Sequence, residues 1–217
     1  DDLCRAGSEA IALDCDVRDE AACGRAIASV VERFGGIDVL VNNASAIYLT
    51  GTLETPIRRF DLMHQVNTRG TFLATQHCLP HLVQAANPHV LNIAPPLNLN
   101  PRWFAPHVAY TMAKYGMSLC VLGMAEEFRA QGVAVNALWP RTAIDTAAIS
   151  LIAGEETRLR RTRKAAIMAD AAFAVLTRPS RECTGRFLID DEVLAEAGVT
   201  DLSPYLPDGA REEDLMA

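Results

Sequence analysis

The chain has 217 residues and a mass of 23.5 kDa; half of its residues are apolar and 22% are charged, which fits one globular domain with a substantial core. A net charge of −7 and a pI near 5.2 argue against a general nucleic-acid binder or a binder of anionic membranes. No apolar run reaches the roughly 18 residues of a spanning helix, no charged-then-apolar leader opens the chain, and the six cysteines form no CxxC pair, so they read as thiols in a reducing, cytoplasmic setting.

Taken in order, helical and strand patterns alternate. Ala10 to Leu13 is a short apolar strand that runs into the acidic stretch DCDVRDE. Asp19 is placed to cap a helix that continues to Phe34, where Gly35-Gly36 ends it. Ile37 to Val41 is a buried strand. A long helical pattern follows from about Pro56 to Ala86, with Pro56 suited to its first turn and Pro80 expected to kink or interrupt it. His89 to Ile93 is the next strand, closed by Pro95-Pro96. A helix carries Tyr110 and runs to about Arg129, and Val133 to Leu138 is a further strand. A polar, Arg-rich stretch from Gly154 to Lys164 separates two short helical segments, Phe187 to Ile189 is the last strand, and the tail from Asp191 is acidic and turn-rich, suited either to partial mobility or to wrapping an oligomer partner.

Strands that are near-continuous apolar runs and alternate with helices imply a parallel sheet covered on both faces. The expected fold is α/β: a doubly wound parallel sheet in a three-layer αβα arrangement, one domain over residues 1–217. His77 and His81 stand at i and i+4 and can in principle share a metal. With no carboxylate or cysteine beside them, a structural or surface role is expected and no metal is implied.

Tyr110 and Lys114 stand one turn apart in AYTMAKYGMS and share a helix face. An ammonium beside a phenol favours phenolate and draws the tyrosine pKa down from about 10. A phenol tuned in this way can give a proton to a carbonyl oxygen or take one from an alcohol. The spacing alone favours the plainer reading, one packed tyrosine and one solvated lysine. Tyr115 lacks this relation to Lys114 and is expected to pack.

Four matches in order resemble a short-chain dehydrogenase/reductase: Asn42-Asn43-Ala44-Ser45 after a strand, Asn67 with Gly70 in VNTRG, Tyr110 with Lys114, and Asn136 followed by Pro140. PPLNLNPRWF, LGMAEEF and NALWPRTAIDTAA are most like the family's hydroxysteroid dehydrogenase-like type-two branch. The resemblance implies a Rossmann-like sheet, an NADP or NAD cofactor with NADP ahead, and hydride transfer to or from the carbonyl or secondary alcohol of a small molecule. It implies Tyr110, Lys114 and Asn67 as catalytic residues, with Asn67, a water, Lys114 and a ribose hydroxyl forming a proton relay. It implies Asp16 and Val17 at the adenine, Asn43 and Ala44 at the adenosine ribose, Tyr110 and Lys114 at the nicotinamide ribose, and Pro140, Ile144 and Thr146 around the nicotinamide. Thr142 is a competing hydroxyl, and about Ala147 to Arg163 is the expected substrate lid. It further implies a homodimer or homotetramer through the helices carrying Asn67 and Tyr110, with Phe72, Leu79, Met117, Val121 and Met124 as candidate contacts. Trp103, Phe104 and Trp139 suggest a hydrophobic substrate, and fit simple packing at least as well.

Two departures stand out. The family's serine after the HVLNI-type strand is replaced: counting from Tyr110 gives Leu97, and aligning on the strand gives Ala94 or Pro95. None of these donates a hydrogen bond from its side chain. Asn98 or Asn100 are the substitutes at hand. The glycine-rich phosphate loop between the first strand and helix is also absent, so residues upstream of Asp1 are expected to carry the first strands. A catalytically impaired pseudo-enzyme or binding scaffold of the same fold is the alternative function.

Overall fold

The computed structural model describes residues 2–147, 149, 162–210 and 212–215. After a short α1 (Asp2–Arg5), α2 spans Glu20–Phe34. Asp19 caps it as expected: its carboxylate accepts from the Ala21 and Ala22 N–H groups at 2.9 and 3.1 Å. Gly35 ends it at φ 85°, a left-handed conformation that glycine adopts without strain. There follow β1 (Val39–Asn42), α3 (Ile57–Met63), α4 (Gly70–Leu82), β2 (His89–Ile93), α5 (Val108–Glu127), β3 (Ala134–Trp139), β4 (Ala143–Ile144), β5 (Thr162–Arg163), α6 (Ala166–Leu176), β6 (Phe187–Ile189) and α7 (Asp190–Glu196).

The main sheet is parallel with order β1-β2-β3-β6. Its register pairs Asn42 with Asn92, Leu91 with Asn136, and Leu138 with Leu188. The period-two alternation of the strands sorts their side chains to two cores. Val90, Ala94, Val135 and Ala137 meet Cys78 and Leu82 of α4 and Met117, Val121 and Met124 of α5 on one face. Leu91 and Leu138 meet Ile167, Ala171 and Val175 of α6 and Val193 and Leu194 of α7 on the other. This is the doubly wound parallel sheet the alternating pattern predicts.

Four expectations need correction. Ala10–Leu13 forms no ladder; Ile11 and Leu13 are about two-fifths exposed, because among the described residues no strand lies beside them to complete the hydrogen bonds. The helix from Pro56 is not broken at Pro80, which sits in the last turns of α4. The irregularity comes earlier, as a π-helix over His64–Arg69 that joins α3 to α4. The residues after Ile189 are not simply a tail: Asp190, Asp191 and Glu192 open α7, where acidic groups suit the helix N-terminus, and Val193 and Leu194 bury against α6. Finally, Met117, Val121 and Met124 face the sheet, so the outward apolar stripe of α5 is Met112, Leu119 and Leu122, with Phe72 exposed on α4. Among the described residues no helix is long and apolar enough to cross a membrane.

Candidate functional site

A cleft of about 450 Å³ opens at the carboxyl ends of β2 and β3, where ligands of open parallel sheets bind. Its walls are mostly apolar: Pro95, Pro96, Trp103, Trp139, Pro140 and Ile189. Tyr110, Lys114 and His107 reach it from the first turns of α5.

Tyr110 packs against Met63, Ala109 and Ala113 beside Ala46 and Phe60. Burial pushes its phenol up to about 12. Lys114 is 4% exposed, and burial draws its ammonium down to about 8. Its Nζ donates to the Ile93 carbonyl at 2.8 Å and lies 5.4 Å from the centre of the Trp139 ring. The expected lowering of Tyr110 by Lys114 is therefore absent. The lysine charge is directed to the end of β2, and desolvation governs both groups. Tyr110 is a protonated acid at neutral pH.

Asn67 lies in the π-helix, fully buried. Its Oδ1 accepts from Ala46 N at 2.7 Å and its Nδ2 donates to Ala46 O at 3.0 Å. Both polar ends of the side chain are thus committed to the loop after β1 and do not reach Lys114. Thr68 Oγ1 donates to Ala113 O at 3.0 Å and ties the same π-helix to α5 just before Lys114. The widened helix brings the β1 loop and the Tyr110 helix together, a common use of π-turns near functional sites.

The other expected residues are placed unevenly. Pro140 lines the cleft. Ile144 is in β4, packed against the α6–α7 core, and Thr146 accepts from Ile149 N at 3.4 Å. Thr142 Oγ1 is buried and has no partner among the described residues. Asn43 N–H donates to Val41 O at 3.1 Å, and Ala44 follows on the exposed turn. Val17 packs at Gly70, where an added Cβ would come within 3.1 Å of Val17 Cγ2. The Asp16 carboxylate is held by Arg18 in a two-pronged pair, which lowers its pKa to about 2; it is solvent-exposed and turned to its neighbour. Most of the expected lid, residues 148, 150 and 151–161, lies outside the described residues. Among the candidates at the serine position, Ala94 is buried in the core and Pro95 lines the cleft. Asn98 lines the cleft as well, whereas Asn100 accepts from Arg102 N and caps the short turn Pro101–Trp103. Tyr115 packs edge-on to Phe104 and its hydroxyl donates to Asn98 O at 2.7 Å, which holds the loop.

Two of the asparagines matched in the sequence, Asn42 and Asn136, stand in buried polar networks, the first with Asn92 and Thr75, which the sequence did not single out. Asn42 Nδ2 donates to Asn92 Oδ1 at 2.8 Å and to Thr75 Oγ1 at 3.2 Å, and Asn92 Nδ2 donates to Met117 O. Asn136 bonds Cys183 O and Arg186 N. The signal is the recurrence of asparagine in VLVN, HVLNI and AVNAL, three apolar strands. These amides fix the strand ends on which the cleft stands.

A family model described as enoyl-(acyl carrier protein) reductase matches residues 1–177. The hydroxysteroid dehydrogenase-like protein 2 of Danio rerio is 56% identical over 97% of the chain, which spans 53% of that relative's length, about half. A crystal structure from Xanthomonas campestris superposes with a TM-score of 0.90 at 57% identity, covering 95% of this chain and 78% of that one. A short chain dehydrogenase from Mycobacterium thermoresistibile does so at 0.87 and 50% identity, covering 94% of this chain and 72% of that one.

Proposed function

The chain belongs to the short-chain dehydrogenase/reductase family, and from that premise we propose that it is a nicotinamide-dependent oxidoreductase acting on the carbonyl or secondary alcohol of a small hydrophobic molecule. The observation that carries this reading is a protonated Tyr110 at an apolar cleft, one turn from a buried Lys114.

Part of the cofactor's expected cradle is present: Asn43 and Ala44 follow β1 and Pro140, Ile144 and Thr146 follow β3, at strand ends where such ligands bind, while Val17 lies against Gly70 and the sequence carries no glycine-rich phosphate loop. Asp16 has its carboxylate committed to Arg18, so Val17 is the better-placed member of that pair. Lys114, already anchored on Ile93 O, keeps further N–H donors for ribose hydroxyls. The nicotinamide supplies or accepts the hydride when bound. NADP is put before NAD on the branch resemblance.

Tyr110 gives its proton to the substrate oxygen during reduction. Lys114, its ammonium directed to Ile93 O, would orient the nicotinamide ribose beside the phenol and does not tune it. Asn67 is a positioning residue that sets the β1 loop and, through the π-helix, α5. Six unpaired cysteines suit the reducing environment of a cytoplasmic enzyme. The outward stripe Met112, Leu119 and Leu122, with Phe72, is the surface through which a homodimer or homotetramer is proposed to form.

The test is reduction of a carbonyl panel followed by loss of NADPH or NADH absorbance, with Tyr110→Phe beside the parent. That variant removes no hydrogen bond among the described residues and should lose turnover at least about 100-fold with its melting temperature unchanged. Full turnover by Tyr110→Phe would overturn the assignment. A second reading, a binding scaffold without turnover, is favoured by one observation: Ala94, Pro95 and Leu97 offer no side-chain donor where the family has serine. Cofactor binding without reduction of any carbonyl would support it.

A further inference from the structure

Most polar side chains that line the cleft are already partnered inside the protein. Thr111 Oγ1 donates to Trp103 O at 2.9 Å, the Tyr115 hydroxyl donates to Asn98 O at 2.7 Å, and Arg141 is paired with Asp191 and Glu192. Tyr110, His107 and the indoles of Trp103 and Trp139 differ: none of these side chains makes a hydrogen bond among the described residues. His107 Nδ1 is moreover fully buried with no partner, alone in this respect among the described residues of the cleft wall.

His107 is held as the residue that opens α5. Its backbone lies outside the helical region at φ −151°, ψ 60°, and its carbonyl accepts from Thr111 N at 2.9 Å. The imidazole is thereby held at the end of α5 from which Tyr110 projects, and both side chains line the same cleft. With Nδ1 turned inward, Nε2 is the ring nitrogen left to the cleft. The tautomer with hydrogen on Nε2 leaves a bare lone pair inside, where the other would bury an N–H without an acceptor. The ring therefore presents one donor to the cleft.

We propose that His107 Nε2–H is the second hydrogen-bond donor to the substrate oxygen, beside the Tyr110 hydroxyl. It takes the role that a serine after β2 fills in the family pattern and that Ala94, Pro95 and Leu97 cannot fill. The oxygen accepts from both groups as negative charge develops on it, and only Tyr110 transfers its proton. This rests on the oxidoreductase reading above.

The test uses the full chain with 1-phenylpropane-1,2-dione and NADPH or NADH. His107→Ala is expected to lower kcat about 100-fold, the effect of losing one oxyanion donor, with the nicotinamide dissociation constant and melting temperature unchanged. His107→Gln, whose amide N–H can stand near the Nε2 position, is expected to recover at least a tenth of the parent rate; a merely structural histidine would show no such recovery. The variant His81→Ala, at a half-buried histidine of α4 away from the cleft, should match the parent. Full turnover by His107→Ala, or a loss seen in Asn98→Ala in its place, overturns this proposal alone. A parent that binds nicotinamide but reduces no dicarbonyl overturns the oxidoreductase reading and this proposal with it.

Discussion

Gly116 sits where α5 crosses the π-helix, and its missing side chain is what lets them touch. An added Cβ would lie 2.1 Å from Thr68 Oγ1, 2.6 Å from Cγ2 and 2.8 Å from Cβ. Thr68 is β-branched and short, and its hydroxyl is bonded to Ala113 O, so it has no free rotamer into which to retreat. Gly116→Ala must therefore separate the helices or break that bond. Overpacking of this kind costs about 1–3 kcal/mol, and loss of the Thr68 bond adds about 1 kcal/mol. Alanine returns about 1 kcal/mol through its better helix propensity. The expected net loss is about 1–3 kcal/mol, and for a chain of this size 2 kcal/mol corresponds to roughly 4–8 °C in melting temperature. Thermal and urea unfolding of Gly116→Ala measure it. Thr68→Ala in the same background removes two of the three clashing atoms and should restore part of the loss. A Gly116→Ala protein as stable as the parent would refute the close approach and, with it, the account of how the π-helix is held against α5.

Other outcomes follow from the buried site. Lys114 falls from 10.5 unfolded to about 8 folded, so the unfolded chain binds more protons between those values and stability rises with pH across that window. Below pH 8 the buried ammonium costs about 3 kcal/mol, offset by about 1 kcal/mol from its bond to Ile93 O. Lys114→Met should therefore be more stable than the parent at pH 7 and lose that advantage by pH 10.5; a difference independent of pH would refute the assignment. Asn67→Ala removes both bonds to Ala46 and should cost about 2–3 kcal/mol in urea unfolding, with weaker nicotinamide binding by fluorescence titration. An unchanged midpoint would show that the amide does not brace the β1 loop.

The elements that local chemistry determines were legible in the chain. The Asp19 cap, the Gly35 stop and the strands His89–Ile93 and Phe187–Ile189 stand where residue type and period put them. Ala10–Leu13 shows the limit: its residues suit an extended strand, but a ladder is a property of two strands. In α5 both flanks are apolar, so period could not say that Met117 and Val121 face the sheet while Leu119 and Leu122 face out. At the site, the spacing of Tyr110 and Lys114 was visible, but the direction of the lysine was not. That direction is set by a carbonyl of β2, Ile93, distant in sequence. His107 carried a signal that was overlooked, an imidazole three residues before the tyrosine.

The π-helix at His64–Arg69 also makes chain length a constraint in its own right. A π-turn winds the chain by less per residue than the about 100° of an α-helix, so it absorbs an extra residue while α3 and α4 stay in phase. Deleting one residue from the wide turn would let the ladder close to ordinary α-helix: Leu73 and Cys78 would keep their places in the core, and the bonds of Asn67 to Ala46 would be lost. Substitutions at the exposed Gln65 or Arg69 leave the widening intact, so the segment should accept changes of identity much more readily than a change of one in its number of residues.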